Sequence, residues 1–204
     1  MASAPTASRT SSGSQLVKAV STGGQAVCSY GRRIGELAAL HPEKVAIIGV
    51  SSAVDERVIS WREYDLWSNA VGRRLAQSGV GGSKCIVVAL PNGIEHCVAI
   101  AAAWKLGACV LTLNPKLPGP ERDALLALAE AVAVVADWPD IGTVISTREL
   151  RDVRVTYDSG PLPDRTAKPA RAVASGGSTG RPKIILLPDA MEGVPDELGL
   201  VGEV

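Results

Sequence analysis

Short apolar runs alternate along this chain with longer stretches of helical period. Ile34, Leu37, Ala38 and Leu40 recur at the three-and-four spacing of one helix face. His41-Pro42 closes that segment, because the residue before a proline is pushed out of the helical region. Val45 to Val50 and Ile59-Ser60-Trp61 predict two short strands, with Asp55-Glu56-Arg57 as an exposed hairpin turn. Ser60-Trp61-Arg62-Glu63 has the capping-box form, in which the serine oxygen and the glutamate carboxylate each accept a backbone N–H left free at a helix start. Tyr64, Leu66, Trp67, Val71 and Leu75 then trace an amphipathic helix that stops at Gly79, with Gly81-Gly82 continuing the turn. Cys85 to Leu90 is a strongly β-branched run and predicts a buried strand.

After the turn Pro91-Asn92-Gly93, the pattern predicts a helix from Ile94 to Leu106 closed by Gly107, then a strand from Cys109 to Leu113. Asn114-Pro115 and Pro118-Gly119-Pro120 bracket a loop. An Ala/Leu-rich helix from Glu121 to Glu130 follows, and strands are predicted at Ala131 to Val135 and Thr143 to Ile145. From Ser146 to Pro169 charges, prolines and glycines accumulate, and the pattern predicts a long connection with short strands at most. Arg171 to Ser175 and Lys183 to Leu187 predict two strands around a glycine-rich stretch. Continuous apolar strands alternating with helices imply parallel pairing covered on both faces, with right-handed crossovers. The predicted class is α/β: a doubly wound, mostly parallel sheet with flanking helices.

Composition narrows the partners. The chain has 204 residues, enough for one domain with a proper core, and no phenylalanine, so that core must be aliphatic. Its formal net charge is zero, which leaves no broad basic excess for a nucleic-acid backbone. Arg32-Arg33 and Arg73-Arg74 read as solvated helix faces. Four cysteines without a C-x-x-C pair, and two histidines, give no zinc spacing. Cys85, Cys97 and Cys109 lie among Val, Ile and Ala and read as small buried hydrophobes. Without a disulfide framework a reducing, cytoplasmic setting is expected. The longest apolar stretch, Cys97 to Leu113, is broken by Lys105 and too short for a transmembrane span. Residues 1–30 are rich in Ser, Ala, Thr and Gly and are expected to be a disordered segment, with an organelle transit peptide as the lesser alternative.

The chemistry is most legible between the last two predicted strands. Ser175-Gly176-Gly177-Ser178-Thr179-Gly180 contains only Ser, Gly and Thr. Glycines let the backbone turn sharply and aim successive N–H groups at one point, which makes an anion-binding concavity. Ser178 and Thr179 add hydroxyls, Pro182 stiffens the exit, and Lys183 adds a point charge suited to phosphate. Each hydrogen bond to a charged oxygen contributes about 1.5–3 kcal/mol. Gly180 is followed by Arg-Pro-Lys, not Lys-Ser, so this is not the P-loop pattern, and the glycine spacing is not the dinucleotide fingerprint either. A flexible linker is the bland alternative, and Pro-Lys leading directly into a strand argues against it.

Ala174 to Ile185, ASGGSTGRPKII, resembles the signature of adenylate-forming enzymes, the superfamily of acyl- and aryl-CoA synthetases, luciferases and peptide-synthetase adenylation domains. Upstream, Ile59-Ser-Trp-Arg-Glu-Tyr64, Ser78-Gly79-Val80 with Val87-Val88-Ala-Leu-Pro-Asn92, Trp104-Lys-Leu-Gly107-Ala108 and Leu113-Asn114-Pro115 are similar to the same family, so the resemblance spans Gly31 to Pro188. The Gly-Gly-Ser-Thr-Gly variant with Arg-Pro-Lys is most similar to the acid–CoA ligase branch, in particular its bile-acid–CoA-ligase-like members. The resemblance implies a partial AMP-binding N-terminal domain at 31–188 and a tail at 189–204. It implies ATP with Mg2+, CoA as co-substrate, a small carboxylic acid, and a place in fatty acid metabolism. Ser175, Gly176, Gly177, Ser178, Thr179, Gly180 and Lys183 would grip the β- and γ-phosphates. No general base is needed, because a carboxylate is already a nucleophile, and no catalytic or metal-ligating residue is assigned. The family's adenine-, ribose- and magnesium-binding segments, hinge and catalytic lysine lie beyond its phosphate loop and have no counterpart in these 204 residues. The expectation is an N-terminal fragment of an ATP-dependent acid–CoA ligase that is not catalytically complete by itself. The alternative is a truncated pseudoenzyme serving as a nucleotide-binding or interaction module. His41, His96, Trp61, Trp67, Trp104, Asp137 and Asp140 are expected to be structural.

Overall fold

Two consecutive residues of a strand point to opposite faces, and one buried strand here shows both cores at once. Ile86 and Val88 pack with one apolar cluster, Val87 with Ala89 into another. In this computed structural model, which describes residues 27–52, 55–141, 144–176 and 182–193, that strand lies inside a six-stranded sheet.

The chain enters through β1 (Cys28–Ser29) and α1 (Tyr30–Leu40), capped by Ser29, whose hydroxyl accepts the Arg32 N–H at 3.0 Å. β2 (Val45–Ser52) and β3 (Asp55–Ser60) form a separate antiparallel ribbon. Asp55, Glu56 and Arg57, expected as the turn, are the first residues of β3, paired with Ser52, Val50 and Gly49. A two-stranded ribbon keeps a solvent face, so exposed charges such as Glu56 and Arg57 sit in it without penalty. Trp61 opens α2 (Trp61–Gln77) rather than closing the strand. The capping box forms as expected: Ser60 Oγ accepts from Glu63 N at 3.2 Å, and Glu63 accepts from Ser60 N at 3.0 Å.

β4 (Cys85–Ala89), α3 (Ile94–Lys105) and β5 (Cys109–Thr112) follow, with Gly107 at φ 74°, a conformation that glycine adopts freely. α4 (Gly119–Ala129) starts two residues before the expected Glu121, because Pro120 fits a first helical turn where no N–H is needed. Glu130, with φ 46°, turns the chain out of α4, and β6 (Ala133–Ala136) starts two residues and ends one residue later than expected. β7 (Val144–Ile145) lies within its predicted span, whose first residue, Thr143, lies outside the described residues.

The segment after it departs from its prediction. α5 (Thr147–Thr156) occupies the first part of the expected long connection. Ser146 accepts from Glu149 N at 3.1 Å, the same serine-to-glutamate spacing that starts α2. Only Leu150 and Val153 are buried on this helix, so its apolar face is two residues wide and its charges mask the period. Trp67, 1% exposed, donates its indole N–H to Leu150 O at 2.7 Å and locks α2 to α5.

β8 (Arg171–Gly176), β9 (Pro182–Leu187) and β10 (Glu192–Gly193) complete the described chain. The sheet order is β7-β6-β4-β5-β8-β9, parallel except for β9. Helices α2, α3 and α5 cover one face and α4 the other. The fold is therefore the expected doubly wound α/β class. β10 pairs with β1, Cys28 opposite Gly193, so strand residues fall inside both the expected disordered segment 1–30 and the expected tail 189–204. Residues 1–26 and 194–204 lie outside the described residues. Among the described residues no helix is long and apolar enough to cross a membrane.

Candidate functional site

The chain leaves β4 through α3 to reach β5 on one side, then crosses back through α4 to β6 on the other. The carboxyl ends of β4 and β5 therefore form a topological switch point, where α/β sheets open a crevice for ligands. β8 lies directly beside β5, and its carboxyl end carries Ser175 and Gly176.

β8 and β9 make an antiparallel hairpin in which Gly176 faces Pro182 and Ser175 faces Lys183. Cross-strand partners point to the same face, so two of the seven expected phosphate-binding residues come together directly. Ser175 is half-buried and Lys183 exposed. Ala172, Ala174 and Ile184 pack toward α4, which by alternation turns Ser175 and Lys183 to the other face. Gly177, Ser178, Thr179 and Gly180 lie outside the described residues, as does Arg181. Beside the hairpin a small cavity of about 200 Å³ is lined by Thr112, Asn114, Glu121, Ser175 and Pro182. The loop after β5 that forms its wall is held by Trp138, whose indole N–H donates to Pro115 O at 2.8 Å. The start of α4 is pinned by Arg122, bidentate on Asp140 at 2.7 and 2.8 Å. That ion pair holds the Asp140 carboxyl below its usual range.

A second concavity, about 590 Å³, opens at the carboxyl end of β4 between Gly49, Asn92, Gly93, Glu95, Asp137 and Arg151. Glu95 is largely buried on α3 and takes Arg57 at 2.7 Å and Arg151 at 2.8 Å on one oxygen. Burial pushes its carboxyl up, and the two guanidiniums override that to leave it below its usual 4.5. A carboxyl depressed by folding contributes stability that is present above pH 4.5 and lost as pH falls through its folded value. Glu95→Gln is expected to flatten the acid limb of the stability–pH curve in urea denaturation, and an unchanged limb would show that the cluster is not coupled to folding. Sequence reading missed this cluster, since its members stand 38 and 56 residues apart in the chain.

Several of the residues expected to be structural can be placed. His96 Nδ1 lies 3.2 Å from Leu90 O, His41 ends α1, Trp67 is buried, and Asp137 accepts from Thr147 N and Oγ1 at 2.7 and 2.6 Å at the start of α5. Among the described residues no three His, Cys, Asp or Glu side chains gather into a metal site.

A doubly wound, mostly parallel sheet with β8 beside its switch point defines a class, the α/β folds that open a ligand crevice at the carboxyl edge of the sheet. Residues 35–190 match the AMP-binding enzyme family, and the chain belongs to it. It is 29% identical over 170 residues to a dimodular nonribosomal peptide synthase of Bacillus subtilis, covering 74% of this chain and 7% of that protein. In fold it is similar to the N-terminal subdomain of NpsA from Klebsiella oxytoca in complex with 3-hydroxybenzoyl-AMSN, at 23% identity and a TM-score of 0.66, covering 79% of this chain and 41% of that one. It is similar as well to the O-succinylbenzoate Coenzyme A synthetase of Bacillus subtilis in complex with AMP, at 21% identity and a TM-score of 0.65, covering 80% of this chain and 43% of that one. The chain thus spans less than half the length of each of these three proteins.

Proposed function

We propose that this chain supplies the phosphate-gripping part of an adenylate-forming enzyme, in which a carboxylate oxygen attacks the α-phosphorus of ATP and the bond to pyrophosphate breaks. The observation that carries this reading is the β8–β9 hairpin, which sets Ser175 opposite Lys183 at the carboxyl edge of the sheet. In this reading Lys183 and the Ser175 hydroxyl hold the β- and γ-phosphates. Backbone N–H groups from Gly176 to Gly180 complete the grip, and charge on the departing pyrophosphate is met by donors already in place. Mg2+, where it accompanies ATP, supplies charge neutralisation on the phosphates. Among the described residues no cluster of side chains fits a dedicated Mg2+ cage. Residues 31–188 are proposed as the partial AMP-binding domain, flanked by 1–30 and 189–204.

The finer reading is an acid–CoA ligase. It rests on the Arg-Pro-Lys loop variant and agrees with the likeness in fold to a Coenzyme A synthetase. The peptide-synthase relative favours a second reading, activation of an amino or aryl acid for a peptide synthetase. ATP–pyrophosphate exchange with fatty, aryl and amino acids separates the two wherever exchange is seen. The 204 residues alone are expected to bind ATP without supporting exchange, in keeping with the share of each relative they span. Exchange by these residues would show a complete active site, whereas failure to bind ATP would remove the phosphate-grip reading itself.

A further inference from the structure

β4 and β5 both begin on a cysteine, and the two are register partners: Cys85 stands opposite Cys109 in a parallel pair. Neighbouring strands lie about 4.7–4.9 Å apart, inside the roughly 4.4–6.8 Å range of Cα separation that a disulfide spans. Both side chains lie on the α4 face, Cys109 buried within the apolar cluster and Cys85 half-buried against it. They form part of the floor of an open groove of about 640 Å³, walled by Leu128 and Ala129 of α4 and by Ile184 and Leu186 of β9. The Cys85 thiol donates to Ile86 O at 3.7 Å, and its burial beside Cys109 raises its pKa. The other two cysteines have no such arrangement. Cys28 lies in β1 and Cys97 on α3, and burial raises both thiols.

We infer that Cys85 and Cys109 form a dithiol oxidation site that closes to a reversible disulfide across β4 and β5 when a hydroperoxide enters the groove. The thiolate of one cysteine of the pair attacks the peroxide O–O bond and takes one oxygen as a sulfenic acid, while the other oxygen leaves as water or an alcohol with the proton that thiol gave up. The second cysteine's sulfur then displaces hydroxide from that sulfenic sulfur. Its proton and the hydroxide leave as water, so the sulfur pair is oxidised by two electrons and the peroxide reduced by two. Direct cross-strand partners sit at the short end of that range, about 4.7–4.9 Å against a usual 5.5–6 Å, so the strand ends must shift to bond, and strain of that kind makes a disulfide more easily reduced. Both cysteines are the first residues of their strands, where such a shift disturbs the fewest ladder bonds.

The test is a hydrogen peroxide titration of the folded chain, followed by alkylation, intact mass and peptide mapping, with dithiothreitol reversal. The expected product has lost two hydrogens, retains alkylatable Cys28 and Cys97, and yields one Cys85–Cys109 linked peptide that dithiothreitol releases. Cys85→Ser and Cys109→Ser should each abolish the link, and a Cys28→Ser, Cys97→Ser double variant should keep it. If the serine variants fail to fold, Cys85→Ala and Cys109→Ala serve the same purpose. The inference is overturned if four thiols still alkylate after oxidation of the folded protein, if oxidation ends as sulfinic acid on one cysteine, or if only intermolecular links form.

Discussion

Lys183→Ala is expected to weaken ATP binding about 10- to 100-fold, the equivalent of losing one charge-assisted hydrogen bond of roughly 1.5–3 kcal/mol. Lys183 follows Pro182 on β9, and pairing with Ser175 fixes its position at the carboxyl edge. Its exposure means that solvent and salt compete for the ammonium, so the effect should sit toward the lower end and shrink as ionic strength rises. Lys183→Arg should recover only part of the affinity, because a planar fork replaces a compact point charge. Calorimetric titration of ATP into parent and variants at fixed salt measures all three values. Equal dissociation constants for parent and Lys183→Ala would remove the hairpin from the phosphate site.

The second large effect is on stability and arises far from that loop. Lys105→Ala is expected to cost about 3–5 kcal/mol, the usual consequence of removing one partner of a buried ion pair. Lys105 is 5% exposed near the end of α3, and its ammonium has a partner in every direction it can donate: Asp65 Oδ1 at 2.7 Å, Asn69 Oδ1 at 2.8 Å and Asp65 O at 3.2 Å. Truncation leaves the mostly buried Asp65 carboxylate without its counter-charge and opens a void where the stem packed. Burial lowers the Lys105 pKa against the pull of Asp65, so the site is held charged by its partner against its surroundings. Lys105→Met together with Asp65→Asn removes both charges and keeps the volume, and should cost far less than Lys105→Ala. Urea denaturation measures each variant, and a loss below about 1 kcal/mol for Lys105→Ala would mean that the network does not hold α2 to α3. Gly31 belongs to the same packing, since a Cβ there would stand 2.9 Å from Lys105 Cγ.

Much of the fold could be read from local pattern because the central strands β4, β5 and β6 are buried on both faces and α2 carries a broad apolar stripe. β4 and β5 appear as unbroken β-branched or apolar runs, and α2 announces itself through Ser60 and Glu63. α5 escaped because two buried residues among many charges make no visible stripe, although Ser146 and Glu149 repeat the start signal of α2. The hairpin turn was misplaced because β3 pairs in a solvent-facing ribbon, where charge carries no information about strand or turn. The proposed phosphate role of the glycine-rich stretch rests on residue types, and the structure describes only Ser175, Gly176 and Lys183 of its seven expected residues.

By itself, then, the sequence determined the α/β class, the caps, the aliphatic core and the residue types of the glycine-rich stretch, all of which depend on neighbours a few positions away. Tertiary structure alone decided which strands lie side by side. That order put β8 next to β5, set Ser175 against Lys183, gathered Arg57 and Arg151 on Glu95, enclosed Lys105 between Asp65 and Asn69, and brought Cys85 opposite Cys109. Each of these contacts joins residues far apart in the chain or on separate elements. No local period encodes them, and they exist only because two apolar faces of one sheet had to be covered at once.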